Sequence, residues 1–216
     1  MRVGLLGGTF DPPHIGHILA ASDAYEALRL DRVLFVPAAQ QPFKAHLPNG
    51  PEVVSTARAS APDRLEMVRL AIAHDERFDV SAIEIERGGL SYTVETLSEL
   101  AERSPDDTWF LLLGADVLAM FAKWRQPERI LQLATLAVFT RPSDESGDAR
   151  SAWSATCEQW MVTHGRAPER SPVFLDSRRV DVSSTEVRER VATGRSIHGF
   201  VPDAVEQYIT ARGLYR

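Results

Sequence analysis

The sequence predicts an α/β fold, a doubly wound parallel sheet of Rossmann-like type with a C-terminal helical subdomain. Three observations predict it. Apolar runs of strand length recur with helical patterns between them. The runs are continuously apolar rather than alternating, as strands covered on both faces are. The first run ends in a glycine pair that leads directly into a helix pattern, Gly7 to His17. Ligands on such sheets bind beyond the carboxyl ends of the strands.

Taken in order, Val3–Leu6 reads as the first buried strand, followed by GGTFDPPHIGH and a helix over His17–Leu30. Val33–Val36 is the second strand. Pro37 to Pro62 holds prolines 37, 42, 48, 51 and 62 and reads as a long loop. Such loops in compact domains are often functional. A helix follows over Pro62–Ala73, with Leu65, Val68, Leu70 and Ile72 apolar among the charged Asp63, Arg64, Glu66 and Arg69. Val80–Ile85 reads as a strand, Thr93–Glu102 as a helix, and Trp109–Leu113 as a strand that ends in Gly114-Ala115-Asp116. Leu136–Phe139 is the next strand and Val173–Leu175 a weaker sixth, with polar, irregular stretches at 140–150 and 163–172. Trp153, Thr156, Cys157 and Trp160 share one helical stripe, read as core or as a contact between copies of the chain. Ser183 with Glu186 fits a capping box and starts a helix. Pro202 and Gly213 bracket a last amphipathic helix, Asp203–Arg212, with Val205, Tyr208 and Ile209 inward. The expected organisation is one domain over 1–216, with 1–182 as its core and 183–216 as its helical part.

Composition narrows the function classes. The chain has 216 residues, long enough for one sizeable core. Its 24 basic and 30 acidic residues leave a formal charge of −6, which argues against a protein that coats nucleic acid. An anionic small substrate needs only a local positive site. Cys157 is the only cysteine, so a reducing cytoplasm is expected. The N-terminus is unlike a signal peptide. No apolar run approaches the roughly 20 residues of a membrane span.

The chemistry concentrates in two stretches. In GGTFDPPHIGH, glycines and a helix N-terminus are suited to phosphates. His14 and His17, three apart at a helix start, can face one side, with Gly16 between them allowing close approach of an anion. A phosphate beside them favours the protonated imidazoles. The alternatives are a zinc pair, for which further ligands are missing, and two exposed histidines at a helix end. In VSSTEVRER, the first-turn N–H groups with the hydroxyls of Ser184 and Thr185 and with Arg188 form an anion-binding set.

Together these stretches resemble the nucleotidyltransferase superfamily marked by an H-x-G-H element. Within it the chain is similar to the bacterial nicotinate-mononucleotide adenylyltransferases. The resemblance runs almost end to end through VPAAQQPFK (36–44), RLEMVRLAI (64–72), SYTVETL (91–97), LLGAD (112–116), Trp124, VSSTEVR (182–188) and VPDAVEQYITARGLY. It implies that ATP and nicotinate mononucleotide give nicotinate adenine dinucleotide and pyrophosphate, with Mg²⁺ accompanying ATP. The resemblance assigns Gly8, Thr9, Phe10, His14, His17, Lys44, Ser183, Ser184, Thr185 and Arg188 to ATP, and His17, His14, Lys44 and Arg188 to catalysis. The family more often reads Pro-His-Lys where this chain has Pro42-Phe43-Lys44; without the resemblance Lys44 reads as an exposed lysine.

The mononucleotide would meet Tyr92, Thr93, Gly114, Asp116 and Trp124. Trp124 can stack on a flat pyridine ring or be a core aromatic. Asp116 can accept from ribose hydroxyls or cap the helix after it. The rival readings are a related adenylyltransferase acting on nicotinamide mononucleotide or phosphopantetheine, and a nucleotide-sensing module without turnover. Neither nucleic acid nor membrane is an expected partner.

Overall fold

The structure, a computed structural model, describes residues 1–42, 57–118, 120–140, 147–164, 168, 170–178 and 180–216. Strands β1 (Arg2–Gly8), β2 (Arg32–Pro37), β3 (Phe78–Val80), β4 (Thr108–Gly114), β5 (Ala134–Thr140) and β6 (Val173–Asp176) form a six-stranded sheet in the order β3-β2-β1-β4-β5-β6. This is the doubly wound order that the strand–helix rhythm predicts. The pairings of β1 with β4, β4 with β5 and β5 with β6 are parallel. Val3 lies beside Trp109, Leu111 beside Leu136, and Val138 beside Phe174. Val3, Leu5 and Leu111 to Leu113 are all buried, which is why these strands read as unbroken apolar runs. At Gly4 a Cβ would come 2.7 Å from Leu30; the missing side chain lets Leu30 pack on the strand.

The helices are α1 (Ile15–Ala27), α2 (Ala61–Ile72), α3 (Ile83–Arg87), α4 (Thr93–Arg103), α5 (Ala115–Leu118), α6 (Pro127–Leu133), α7 (Gly147–His164), α8 (Ser184–Ala192) and α9 (Asp203–Arg212). Several begin and end as their capping residues dictate. Ser60 Oγ accepts from Asp63 N ahead of α2, and Ser183 Oγ from Glu186 N ahead of α8. Gly213, at φ 63°, closes α9 in the left-handed conformation.

The chain gathers into two compact units. The first comprises Met1–Leu6, Ala20–Val33 and Tyr92–Arg179; the second comprises Gly7–Leu19, Leu34–Ser91 and Val180–Arg216. In the second, α2, α8 and α9 share a core of Met67, Val187, Ile197, Val201, Val205, Ile209 and Tyr215. In the first, Trp160 of α7 is buried and stacks on Phe121 at 6.2 Å, and Thr156 Oγ1 donates to Leu118 O. Trp160 and Thr156 of the stripe are thus core, while Trp153 and Cys157 are half-buried.

Three stretches differ from expectation. Val80–Ile85 is not one strand: β3 ends at Val80 and α3 starts at Ile83. Ser81 Oγ accepts from Ile83 N at 3.3 Å and turns the chain between them. The stretches 140–150 and 163–172 are not wholly irregular, because α7 starts at Gly147 and continues to His164. Among the described residues no helix is long and apolar enough to cross a membrane.

Candidate active site

The carboxyl end of β1 runs into a loop over residues 9–14 that enters α1. Phe10 holds φ at 51°, a left-handed conformation uncommon for a bulky residue. Its ring is buried edge-on to His17 at 4.9 Å and tilted against Phe35 at 5.8 Å. A Cβ at Gly8 would sit 3.1 Å from that ring, so the glycine lets Phe10 fold back over the strand end.

Most carbonyls from Gly8 to His14 are met by donors. Gly8 O accepts from Ala38 N at 2.8 Å, and Thr9 O from Arg64 Nη1 at 2.7 Å. Asp11 O accepts from Arg188 Nη1 at 2.7 Å, Pro12 O from Ser184 Oγ at 2.8 Å, and His14 O from His17 N at 2.9 Å. The Asp11 carboxylate is buried and accepts from Arg58 N, Ala59 N and the Tyr215 hydroxyl at 2.8–3.0 Å. Burial, followed by the Asp11 charge, raises the Tyr215 pKa, so the phenol remains a donor.

His14 and His17 stand with ring centroids 3.8 Å apart. The His14 N–H donates to His17 Nδ1 at 3.1 Å. A nitrogen that accepts carries no proton, so the neutral ring holds its proton on Nε2. Burial lowers the His14 pKa to about 4; burial and then the neighbouring His14 lower that of His17. The free protein therefore carries neutral imidazoles here, where the sequence suggests protonated ones for the phosphate-bound state. Gly16 has a further role. A Cβ there would come 3.0 Å from the His14 ring, so the glycine seats that imidazole.

Three buried polar atoms of this set, Thr9 Oγ1, His14 Nδ1 and Arg188 Nε, have no hydrogen-bond partner among the described residues. Such atoms are exceptional in folded proteins, and here they gather beside one loop. Ser183 caps α8, and Thr185 Oγ1 accepts from Arg188 Nη2 at 3.0 Å. The second unit thus collects Gly8, Thr9, Phe10, His14, His17, Ser183, Ser184, Thr185 and Arg188. Lys44 and Phe43 lie outside the described residues.

The residues expected at the mononucleotide belong to the first unit. Tyr92 precedes α4 and Thr93 opens it. The Arg125 guanidinium lies over the Tyr92 ring at 4.6 Å and pairs with Glu95 at 2.7 Å, joining this helix start to the segment that carries Trp124. Trp124 is half-buried, tilted against Phe121 at 5.5 Å. Asp116 is exposed in the first turn of α5 rather than at its cap. A Cβ at Gly114 would meet its Oδ1 at 2.5 Å, so glycine leaves that carboxylate its room.

Sequence reasoning passed over Asp11, Arg64 and Tyr215. Arg64 was traceable: it shares the helical phase of Met67, Val68 and Ile72, all buried. As for metal ligands, the described residues bring ligand atoms of His198, Asp203 and Glu206 within 4.8 Å of one another on the surface, with His198 Nδ1 3.8 Å from Asp203 and 3.4 Å from Glu206.

A doubly wound sheet with a glycine loop, paired histidines and buried donors at one strand's carboxyl end defines a nucleotide-phosphate-binding α/β class. Residues 5–190 match the cytidylyltransferase-like family model. A relative from Gemmatimonas aurantiaca, named as a probable nicotinate-nucleotide adenylyltransferase, is 44% identical over all of this chain and 93% of its own. One so named from Thermus thermophilus is 43% identical over the full length of both. The chain belongs to the cytidylyltransferase-like family and, within it, to the group of these adenylyltransferases. In fold it is similar to the nicotinic acid mononucleotide adenylyltransferase of Plasmodium falciparum complexed with NaAD. That likeness has a TM-score of 0.69 at 15% identity and covers 99% of this chain and 97% of the other.

Proposed function

We propose that the protein transfers the adenylyl group of ATP to nicotinate mononucleotide, forming nicotinate adenine dinucleotide and pyrophosphate. The observation that carries this reading is the His14–His17 pair. It presents the His17 Nε2–H beside a loop in which the carbonyls of Thr9, Asp11 and Pro12 are held by other donors. In the reaction a phosphate oxygen of the mononucleotide attacks the α-phosphorus of ATP, and the bond to the bridging oxygen of pyrophosphate breaks. The attacking phosphate is already deprotonated, so no protein nucleophile or general base is needed. Catalysis rests on positioning and on donors aimed at the developing charge.

In this reading Gly8, Thr9, Phe10, His14, His17, Ser183, Ser184, Thr185, Arg188 and Lys44 serve the ATP phosphates, with His17 stabilising the transition state. Tyr92, Thr93, Gly114, Asp116 and Trp124 serve the mononucleotide. Mg²⁺ would arrive with ATP as part of the MgATP substrate and neutralise phosphate charge there. The donor set fits that role: the oxygens of Asp11 are engaged by Arg58, Ala59 and Tyr215, and the remaining groups are imidazole, hydroxyl and guanidinium. The lone Cys157 suits a reducing cytoplasm.

The test is pyrophosphate release with MgATP and each of nicotinate mononucleotide, nicotinamide mononucleotide and phosphopantetheine. The reading expects the nicotinate compound to be preferred. Preference for either of the others would transfer the protein to that acceptor, and MgATP binding with no release would make it a sensor.

A further inference from the structure

We infer that Arg64 is a positioning residue for ATP binding: from inside α2 it aims the phosphate-binding N–H groups of the loop after β1. The inference rests on the adenylyl-transfer reading for the identity of the ligand. Arg64 is 1% exposed on an otherwise apolar helix face. Its Nη1 donates to Thr9 O at 2.7 Å and its Nη2 to Ala39 O at 3.2 Å. Burial lowers its pKa, while the Asp11 carboxylate opposes that shift. Its buried Nε has no hydrogen-bond partner among the described residues. A guanidinium buried on these terms is costly, and an apolar side chain would serve a purely structural role at this position.

The consequence follows from peptide geometry. In a planar trans peptide the C=O of one residue and the N–H of the next point in opposite directions. The Gly8–Thr9 and Thr9–Phe10 peptides are trans. With Thr9 O held by Arg64 and Gly8 O by Ala38 N, the N–H groups of Phe10 and Thr9 turn the other way, as an anion-binding nest requires. Pro12 and Pro13 have no N–H to offer. The carbonyls before them, which would repel a phosphate, are held by Arg188 and Ser184. Among the side chains of this set, Arg64 is the one that lies outside both motif stretches.

The test measures MgATP affinity by calorimetry, KM for each substrate, and thermal unfolding for wild type, Arg64→Lys and Arg64→Met. Lysine keeps the charge but loses the fork. We expect MgATP binding to weaken by about 10-fold in Arg64→Lys, the scale of one charge-assisted hydrogen bond, and by about 100-fold in Arg64→Met. The KM for the mononucleotide should stay within about twofold of wild type. Affinities within about twofold of wild type in the folded variants, with only the unfolding temperature lowered, would overturn the inference. If Arg64→Met does not fold, Arg64→Lys carries the test. A wild-type protein that binds MgATP but forms no dinucleotide with any acceptor defeats the reading of function and leaves the Arg64 comparison intact.

Discussion

The main-chain N–H of His14 donates to Nδ1 of His17 at 3.1 Å, and this bond determines which nitrogen of His17 carries its proton. With Nδ1 occupied, Nε2–H is a donor even when the ring is neutral, so His17 can stabilise a developing phosphate charge without first being protonated. In the stretch that precedes it, the carbonyls of Gly8, Thr9, Asp11 and Pro12 are engaged by Ala38, Arg64, Arg188 and Ser184, which removes these four as competing acceptors.

Burial of His14 makes stability depend on pH with a definite sign. The ring protonates near 6.5 in an exposed chain and at about 4 in the folded protein. Across that window the unfolded state binds more protons, so stability is present above it and falls as pH is lowered through it. Denaturant unfolding at about pH 7.5 and about pH 4.5 should show a larger loss in wild type than in His14→Gln. Equal losses would show that the ring is not held neutral. Phosphates bound beside the rings oppose the effect of burial. MgATP binding near neutral pH should therefore take up protons, read from calorimetry in buffers of differing ionisation heat.

Gly16→Ala places a methyl group 3.0 Å from the His14 ring, so the imidazole must move. We expect kcat to fall by about 10-fold or more, since sub-ångström displacements of phosphate-binding groups are strongly felt. The fold should be retained, because Ala favours the first turn of α1. A variant with unchanged kcat would show that the His14 ring position is immaterial.

How much of this was legible in sequence depends on the range of the interactions. Strands such as Val3–Leu6 and the caps at Ser183 and Gly213 follow from local periodicity and local hydrogen bonds, and they stand where expected. The pairing of Tyr215 with Asp11 spans 204 residues, and that of Arg64 with Thr9 spans 55. No local pattern carries such partners, so Arg64 read as one more charge on an amphipathic helix. Val80–Ile85 misled for a related reason: a β-rich run was broken by a single Ser81 side-chain bond. The two histidines were legible as a pair, but their neutral state was not, because burial comes from distant parts of the chain.

Trp124→Ala removes an aromatic face that is half-buried against Phe121. We expect the KM for nicotinate mononucleotide to rise by about 10-fold, with the KM for ATP nearly unchanged, on the scale of one lost ring-stacking contact. A lowered unfolding temperature with both KM values unchanged would make it a core residue.

The central claim is that the His17 Nε2–H stabilises the transition state of adenylyl transfer. The most direct measurement is the single-turnover rate of nicotinate adenine dinucleotide formation, at saturating MgATP and nicotinate mononucleotide, in wild type and His17→Ala. We predict dinucleotide and pyrophosphate in equal amounts from wild type, and a rate lower by about 10²-fold or more in the variant. Equal rates in the two proteins would contradict the claim.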